Sequence, residues 1–213
     1  MKPPQALLLD AMGTLIGLRR SVGHSYAELA ADFGLTLEPA AIDRVFPRIY
    51  RQAPPLAFPG LEGNALRQAE LDWWGERIGA SVAAASQTRA DELPPGLVET
   101  LFERFADAAL WQVYPEVPAC LERWRSRPLK LAVVSNFDSR LPPLLADLGL
   151  AAALDALVVS SQVGAAKPDP APFHRALQIL QLEAHQVWHV GDSPEDELGA
   201  QAAGIRCLMV RRH

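Results

Sequence analysis

Leu129-Lys130-Leu131-Ala132-Val133-Val134-Ser135-Asn136 is the stretch that decides the fold. It is a short, mostly apolar run with β-branched valines, ending on two small polar residues. That composition fits a strand buried on both faces. Working outward, Leu141, Leu144, Leu145 and Leu148 recur at helical spacing and Gly149 closes them. Pro142 and Pro143 then fall in the first helical turn, where proline is tolerated. Leu154–Ser160 reads as the next strand. Asp169-Pro170 reads as the N-cap and first residue of a helix carrying Phe173, Ala176, Leu177 and Leu180 on one face. Gln186–Gly191 reads as a strand, Pro194–Ala203 as a helix closed by Gly204, and Ile205–Val210 as a last strand. Strand–helix alternation of this kind builds a parallel sheet with right-handed crossovers.

Upstream, the apolar run Ala6–Leu9 supplies one more strand, ended by Asp10. From about Gly17 to about Val113 the pattern changes. Tyr26, Leu29, Ala30 and Phe33 mark a helix closed by Gly34. Ile42, Val45, Phe46 and Ile49 mark a second, with Pro47 inside it. Leu66, Ala69, Trp73 and Trp74 mark a third, and Val98, Leu101, Phe102 and Phe105 a fourth. Proline-rich joints at Ala53-Pro54-Pro55 and Leu93-Pro94-Pro95 separate them. The block predicts an all-helical insert over the C-terminal edge of the sheet, where open α/β sheets bind ligands. The fold class is therefore α/β, with a Rossmann-like parallel-sheet core of residues 1–16 and 114–213 and a helical cap of residues 17–113.

With 213 residues, 49% of them hydrophobic, the chain can bury a sizeable core. A net charge of −5 argues against a dedicated nucleic-acid binder, and Arg211-Arg212-His213 is too short for a basic tail. Cys120 and Cys207 make no disulfide framework and read as small buried hydrophobes. Ala6–Leu9 is too short for a signal segment or a membrane span. The expectation is a cytoplasmic protein with no membrane or nucleic-acid partner.

Asp10, at the end of a strand and before a Gly-Thr turn, can attack an electrophile and also ligate a cation. Gly13 lets backbone approach a phosphate, and Thr14 can donate a hydrogen bond. Ser135, at a strand-to-helix turn, can help cradle an anion; Asn136 beside it is ambiguous. Lys167, before a proline, can project into a cleft and offset negative charge. Asp192 and Asp196 offer hard oxygen ligands suited to Mg²⁺. Each has an ordinary alternative: a turn-capping Asp10, an N-cap Ser135, a surface Lys167, and Asp196 in a capping box with Ser193. His189 reads as a satisfied core histidine, while His24, His174 and His185 read as exposed. Trp73 and Trp74 read as cap core, because adjacent helical residues do not face one pocket.

Four segments carry a wider likeness: Leu7-Leu8-Leu9-Asp10-Ala11-Met12-Gly13-Thr14-Leu15, Leu131–Asn136, Lys167-Pro168-Asp169-Pro170 and Val190-Gly191-Asp192-Ser193-Pro194-Glu195-Asp196. In order and residue type they resemble the haloacid dehalogenase (HAD) superfamily, whose commonest members are Mg-dependent phosphatases. The insert resembles the C1 cap of subfamily IA. Trp73-Trp74, Trp111-Gln112-Val113 and Val134-Ser135-Asn136-Phe137-Asp138 resemble the branch named after rhythmically expressed gene 2. The resemblance implies an aspartyl-phosphate on Asp10, with Ser135 and Lys167 as further catalytic residues. It also implies phosphate contacts from Gly13, Thr14, Ser135, Asn136 and Lys167. Mg²⁺ would be held by Asp10, Asp192 and the carbonyl of Met12, while the spacing of Asp196 from Asp192 adds Asp196 as a ligand acting through water.

Met12 departs from the family pattern, which places a general acid–base aspartate there. A thioether cannot move that proton, a loss of about 10²–10⁴ in rate. Three readings follow. The first is a Mg-dependent phosphatase acting on a small phosphate monoester. The second is a 2-haloacid dehalogenase, whose usual form lacks the second aspartate, carries an aromatic residue there and needs no metal. The third is a low-turnover phosphate-binding or regulatory module. Arg19, Arg20, His24 and Tyr26 are candidates for substrate contact, and the cap aromatics suit either a monomer or a homodimer.

Overall fold

The structure is a computed structural model that describes residues 3–212, so His213 of the basic terminus lies outside the described residues. In chain order the main elements begin with β1 (Ala6–Leu9), β2 (Ile16–Leu18), α1 (Val22–Asp32), α2 (Pro39–Arg51), α3 (Gly63–Ser86), α4 (Leu97–Arg104) and β3 (Trp111–Val113). They continue with α5 (Val117–Arg125), β4 (Lys130–Ser135), α6 (Leu141–Asp147), β5 (Ala156–Val159), α7 (Ser160–Val163), α8 (Ala171–Leu180), β6 (Val187–Gly191), α9 (Pro194–Ala202) and β7 (Arg206–Met209). Two compact units result. Among the described residues, one contains the chain up to Gly17, Pro55–Leu66 and the chain from Gln112 onward; the other contains Leu18–Pro54 and Arg67–Trp111. The segment Pro55–Leu66, inside the expected cap range, thus groups with the sheet.

The first unit is an α/β fold around a parallel sheet in the order β5-β4-β1-β6-β7. The register sets Leu8 beside both Ala132 and His189. Side chains alternate across the sheet, and both faces are covered: Ala6, Leu7, Leu8 and Leu9 are all buried. On one face Leu8, Val134 and Val158 pack with Phe173, Ala176 and Leu180 of α8 and Ala200 of α9. Phe173 is fully buried, worth about 1.5–3 kcal/mol relative to exposure. The apolar runs of β1, β4 and β6 end in register. Asp10, Ser135-Asn136 and Asp192 therefore emerge side by side at one sheet edge.

The second unit is helical. Tyr26 and Ala30 of α1, Ile42 of α2, Ile78 and Val82 of α3, and Leu97, Leu101 and Phe102 of α4 form its core. Tyr26 is buried edge-on between Phe46 and Phe105, which removes it as a substrate contact. Trp73 is buried and donates from Nε1 to the Pro54 carbonyl, while Trp74 is half-buried; both rings pack on Tyr50. No described helix is long and apolar enough to cross a membrane.

Several local expectations are corrected. Helix α8 starts at Ala171, with Pro170 as the N-cap residue and the Asp169 carboxylate accepting from the Ala171 N–H. The strand expected over Leu154–Ser160 is Ala156–Val159, and Ser160 opens α7. Cys120 and Cys207 are half-buried rather than buried. Strands β2 and β3, which pair where the chain passes between the units, carry no period-2 pattern long enough to read at three residues each.

Candidate active site

Asp10 follows β1 directly and is nearly buried. Its Oδ1 accepts from Lys167 Nζ at 2.6 Å and from Ser135 Oγ at 3.2 Å. Among the described residues Oδ2 takes no hydrogen bond, so it is the oxygen left for a reactive role. Burial raises the Asp10 pKa above its ordinary 3.8; the Lys167 charge opposes this, and the Asp196 charge adds to it.

Lys167 lies beneath the site, 5% exposed. A surface lysine is excluded. Its ammonium has three acceptors for three protons: Asp10 Oδ1, Asp196 Oδ1 at 2.6 Å, and the Val134 carbonyl at 3.0 Å. Burial works against its charge, but Asp10 and Asp196 outweigh it and raise the Lys167 pKa.

Asn136 does not point a free amide at the site. Its Oδ1 accepts from the Lys167 N–H at 2.7 Å, and its Nδ2 donates to the Lys167 carbonyl at 2.8 Å. In the structure this amide braces the Lys167 backbone.

Asp196 takes the capping-box place the spacing suggests. Its N–H donates to Ser193 Oγ, and its Oδ2 accepts from Ser193 Oγ at 2.7 Å and from the N–H groups of Ser193 and Asp192. Its Oδ1 accepts from both Lys167 and His189 Nε2, the latter at 2.8 Å. Burial pushes Asp196 up, yet the His189 bond and the Lys167 charge hold its carboxyl well below the ordinary range. With both oxygens so engaged, Asp196 is better placed to act on a cation through water than by direct ligation.

Asp192 is exposed, and its Oδ1 accepts from Thr14 Oγ1 at 3.4 Å. Gly13 lies against it at φ 87°; a Cβ there would collide with the Asp192 carboxylate. Thr14 thus supports Asp192 instead of reaching outward. Met12 is 47% exposed on the same turn. The turn is closed by Gly13 N–H to the Ile16 carbonyl and Leu15 N–H to the Ala11 carbonyl.

Asp10, Asp192 and Asp196 each offer a carboxylate oxygen within 4.8 Å of the others. Hard oxygens so close, against a single buried ammonium, fit a divalent cation such as Mg²⁺. His189 is fully buried, edge-on to Phe173, with Nε2 on Asp196 and Nδ1 unpartnered. The core position of His189 was legible in the sequence, but the expectation that it is fully satisfied is corrected by its unpartnered Nδ1; its bond to Asp196 was not legible, though their sequence separation of seven with a turn between is the signal that could have suggested it. His24, His174 and His185 are exposed, as are Arg19 and Arg20.

A carboxylate held by a buried lysine, with two more carboxylates at the same sheet edge, is an arrangement that could attack a charged ester. Comparison with known proteins agrees on the class. A family model described as haloacid dehalogenase-like hydrolase matches residues 4–204, and the chain belongs to that family. It is 37% identical to haloacid dehalogenase-like hydrolase domain-containing protein 3 of Bos taurus, over 96% of this chain and 80% of that protein. It is 28% identical to the rhythmically expressed gene 2 protein of Drosophila melanogaster, over 96% and 82%, which fits the branch suggested by the motifs. It is 32% identical to a plasmid-encoded phosphoglycolate phosphatase of Cupriavidus necator, over 98% and 81%. Two solved structures share the fold. L-2-haloacid dehalogenase from Xanthobacter autotrophicus has a TM-score of 0.71 at 22% identity, covering 97% of this chain and 77% of that one. A HAD phosphatase from Thermococcus onnurineus has a TM-score of 0.64 at 23% identity, covering 97% and 86%. Fold alone therefore does not separate phosphatase from dehalogenase.

Proposed function

We propose that this hydrolase is a Mg²⁺-dependent phosphatase that moves the phosphoryl group of a small phosphate monoester to Asp10 and then to water. The carrying observation is the set of three carboxylates around one buried ammonium, with Asp10 Oδ2 left unengaged. Asp10 Oδ2 attacks phosphorus, the ester P–O bond breaks, and the leaving oxygen departs. Water then attacks the acyl phosphate, releasing inorganic phosphate and restoring Asp10. Lys167 fixes Asp10 and offsets charge on the phosphoryl oxygens; Ser135, Gly13 and Thr14 border the same space. Asp10, Asp192 and the Met12 carbonyl would hold Mg²⁺, with Asp196 acting through water. When bound, the ion neutralises the carboxylates and phosphoryl oxygens. This reading treats residues 17–113 as the cap domain and the substrate as a small phosphate ester, in keeping with the relative named as a phosphoglycolate phosphatase.

Met12 sets the rate profile. No side chain on the Asp10 turn can protonate a leaving alkoxide, so esters of good leaving groups such as nitrophenolate react, while alkyl phosphates react poorly. The dehalogenase reading accounts for the missing second aspartate, but it expects an aromatic residue where Met12 stands and needs no metal at the three carboxylates.

The test is hydrolysis of p-nitrophenyl phosphate with and without Mg²⁺, beside Asp10→Asn. Mg²⁺-dependent turnover that disappears in the variant supports the proposal. Halide release from a 2-haloacid without phosphatase activity would replace it with the dehalogenase reading, and neither activity would leave a binding module.

A further inference from the structure

We infer that Arg212 is a positioning residue that ties the Asp10 turn to the Asp192 turn and so sets the protein's affinity for its divalent cation; this rests on the metal-dependent reading above. Arg212 lies beyond β7, far in sequence from either turn. Its Nε donates to the Gly13 carbonyl at 2.7 Å, and its Nη2 donates to the Thr14 carbonyl. Its Nη1 donates to Glu116 Oε1 at 2.6 Å, and its guanidinium lies 3.4 Å from the centre of the Tyr114 ring. Three directions of the planar fork are thus used, with an aromatic face beneath, an arrangement a lysine cannot copy.

Two residues earlier, the Val210 N–H donates to the Gly191 carbonyl at 2.7 Å. One short segment therefore grips both turns: Gly191 just before Asp192, and Gly13-Thr14 just after Met12. A cavity of about 500 Å³ opens there, lined by Gly13, Tyr114, Asp192, Val210, Arg211 and Arg212.

The grip matters because these turns repel. They carry carboxylates whose oxygens lie within 4.8 Å of one another, and the Asp192 carboxylate fills the space a Cβ at Gly13 would need. A tie outside the cluster adds to the Thr14–Asp192 bond and the Lys167 bridge in keeping the two turns together before a cation arrives. Arg212 supplies it through main-chain carbonyls, leaving the carboxylates for the ion. Groups that orient metal ligands without touching the metal commonly govern affinity by about 10–100-fold.

The experiment measures Mg²⁺ affinity of the full chain from the rise of the thermal midpoint with Mg²⁺ concentration, a readout independent of turnover. Wild type, Arg212→Gln, Arg212→Lys and Glu116→Gln are compared, with Asp192→Asn as the control that abolishes the response. Arg212→Gln is expected to weaken Mg²⁺ binding by about 10–100-fold. Arg212→Lys should fall between it and wild type, and Glu116→Gln should weaken binding in the same direction. An unchanged Mg²⁺ midpoint in Arg212→Gln, whatever its cation-free stability, overturns the inference and leaves Arg212 as packing. If Arg212→Gln does not fold, Arg212→Lys is judged by the same criterion. A wild type with no response to Mg²⁺ overturns this inference and the metal-dependent reading together.

Discussion

Asn136→Ala asks whether this side chain serves Lys167 or the substrate. The carboxamide closes a two-bond ring with the Lys167 main chain, at 2.7 Å and 2.8 Å. Alanine strips both partners from a half-buried peptide group. A buried polar group left unsatisfied costs about 1–3 kcal/mol, and half-burial lets water recover part of that, so the pair together is worth about 2–3 kcal/mol. For a chain of 213 residues this lowers the thermal midpoint by about 4–12 °C. Lys167 Nζ keeps Asp10, Asp196 and the Val134 carbonyl, so the ammonium is loosened rather than released. The kinetic signature is a fall in kcat with KM for p-nitrophenyl phosphate unchanged, because both amide atoms are already committed to Lys167. Scanning calorimetry and steady-state kinetics at saturating Mg²⁺ measure the two effects. A raised KM with kcat intact would refute the reasoning, since it would mean that the amide touches substrate.

Three further outcomes are expected. Gly13→Ala puts a Cβ into the Asp192 carboxylate at a φ of 87°, so it should abolish the Mg²⁺-dependent thermal shift; a normal shift would show that Asp192 has room to move. Met12→Asp alters a half-exposed side chain, so its stability should stay within about 0.5 kcal/mol of wild type. Its hydrolysis of alkyl phosphates should rise by about 10²–10⁴-fold, and no gain would place the proton carrier elsewhere. Asp192→Asn should raise the thermal midpoint in EDTA at pH 7. Partial desolvation of its carboxylate first, then the charges of Asp10 and Asp196, lift the Asp192 pKa above 3.8 although the residue as a whole is exposed, so ionised Asp192 destabilises the cation-free protein once the pH exceeds that folded value. The gain should vanish near pH 3, where Asp192 is protonated folded and unfolded alike, and a variant no more stable than wild type at pH 7 would count against it.

The sheet was legible because its inner strands are buried on both faces and so read as plain apolar runs, as in Leu131–Val134 and Ala6–Leu9. The helical segment was legible from period alone, as in Leu97–Phe102. The short strands β2 and β3 were not, since three residues carry no period. Positions at strand ends announced Asp10, Ser135 and Asp192. What each side chain bonds to was hidden, because those partners are set by register between distant strands. Asn136 illustrates the limit: an amide beside Ser135 at the sheet edge suggests a ligand contact, and only the placement of Lys167, 31 residues on, reveals a brace. Arg212 gave no signal at all. A lone arginine beside another charged residue has no pattern, and its acceptors are main-chain carbonyls, which every sequence possesses.

The charge balance explains why one substitution can alter rate without dismantling the site. Three carboxylates face one buried ammonium, so two negative charges lack an internal counterpart. The surplus is not shared evenly. Asp196 collects Lys167, His189, Ser193 and two backbone N–H groups, and its pKa is held low. Asp10 and Asp192 are left with raised values, and Asp10 also keeps an oxygen without a donor. Unrelieved charge on these two is a standing cost to the cation-free fold, retained where a hard divalent ion can cancel it. Met12 enters none of these interactions, because its side chain points outward and its turn is closed by backbone bonds. On the proposed reading, methionine in place of an acid–base group at this position would remove a proton carrier while leaving the charge trap whole. Such a protein would still hold a divalent ion and a phosphate ester but would depend on the leaving group to depart unaided.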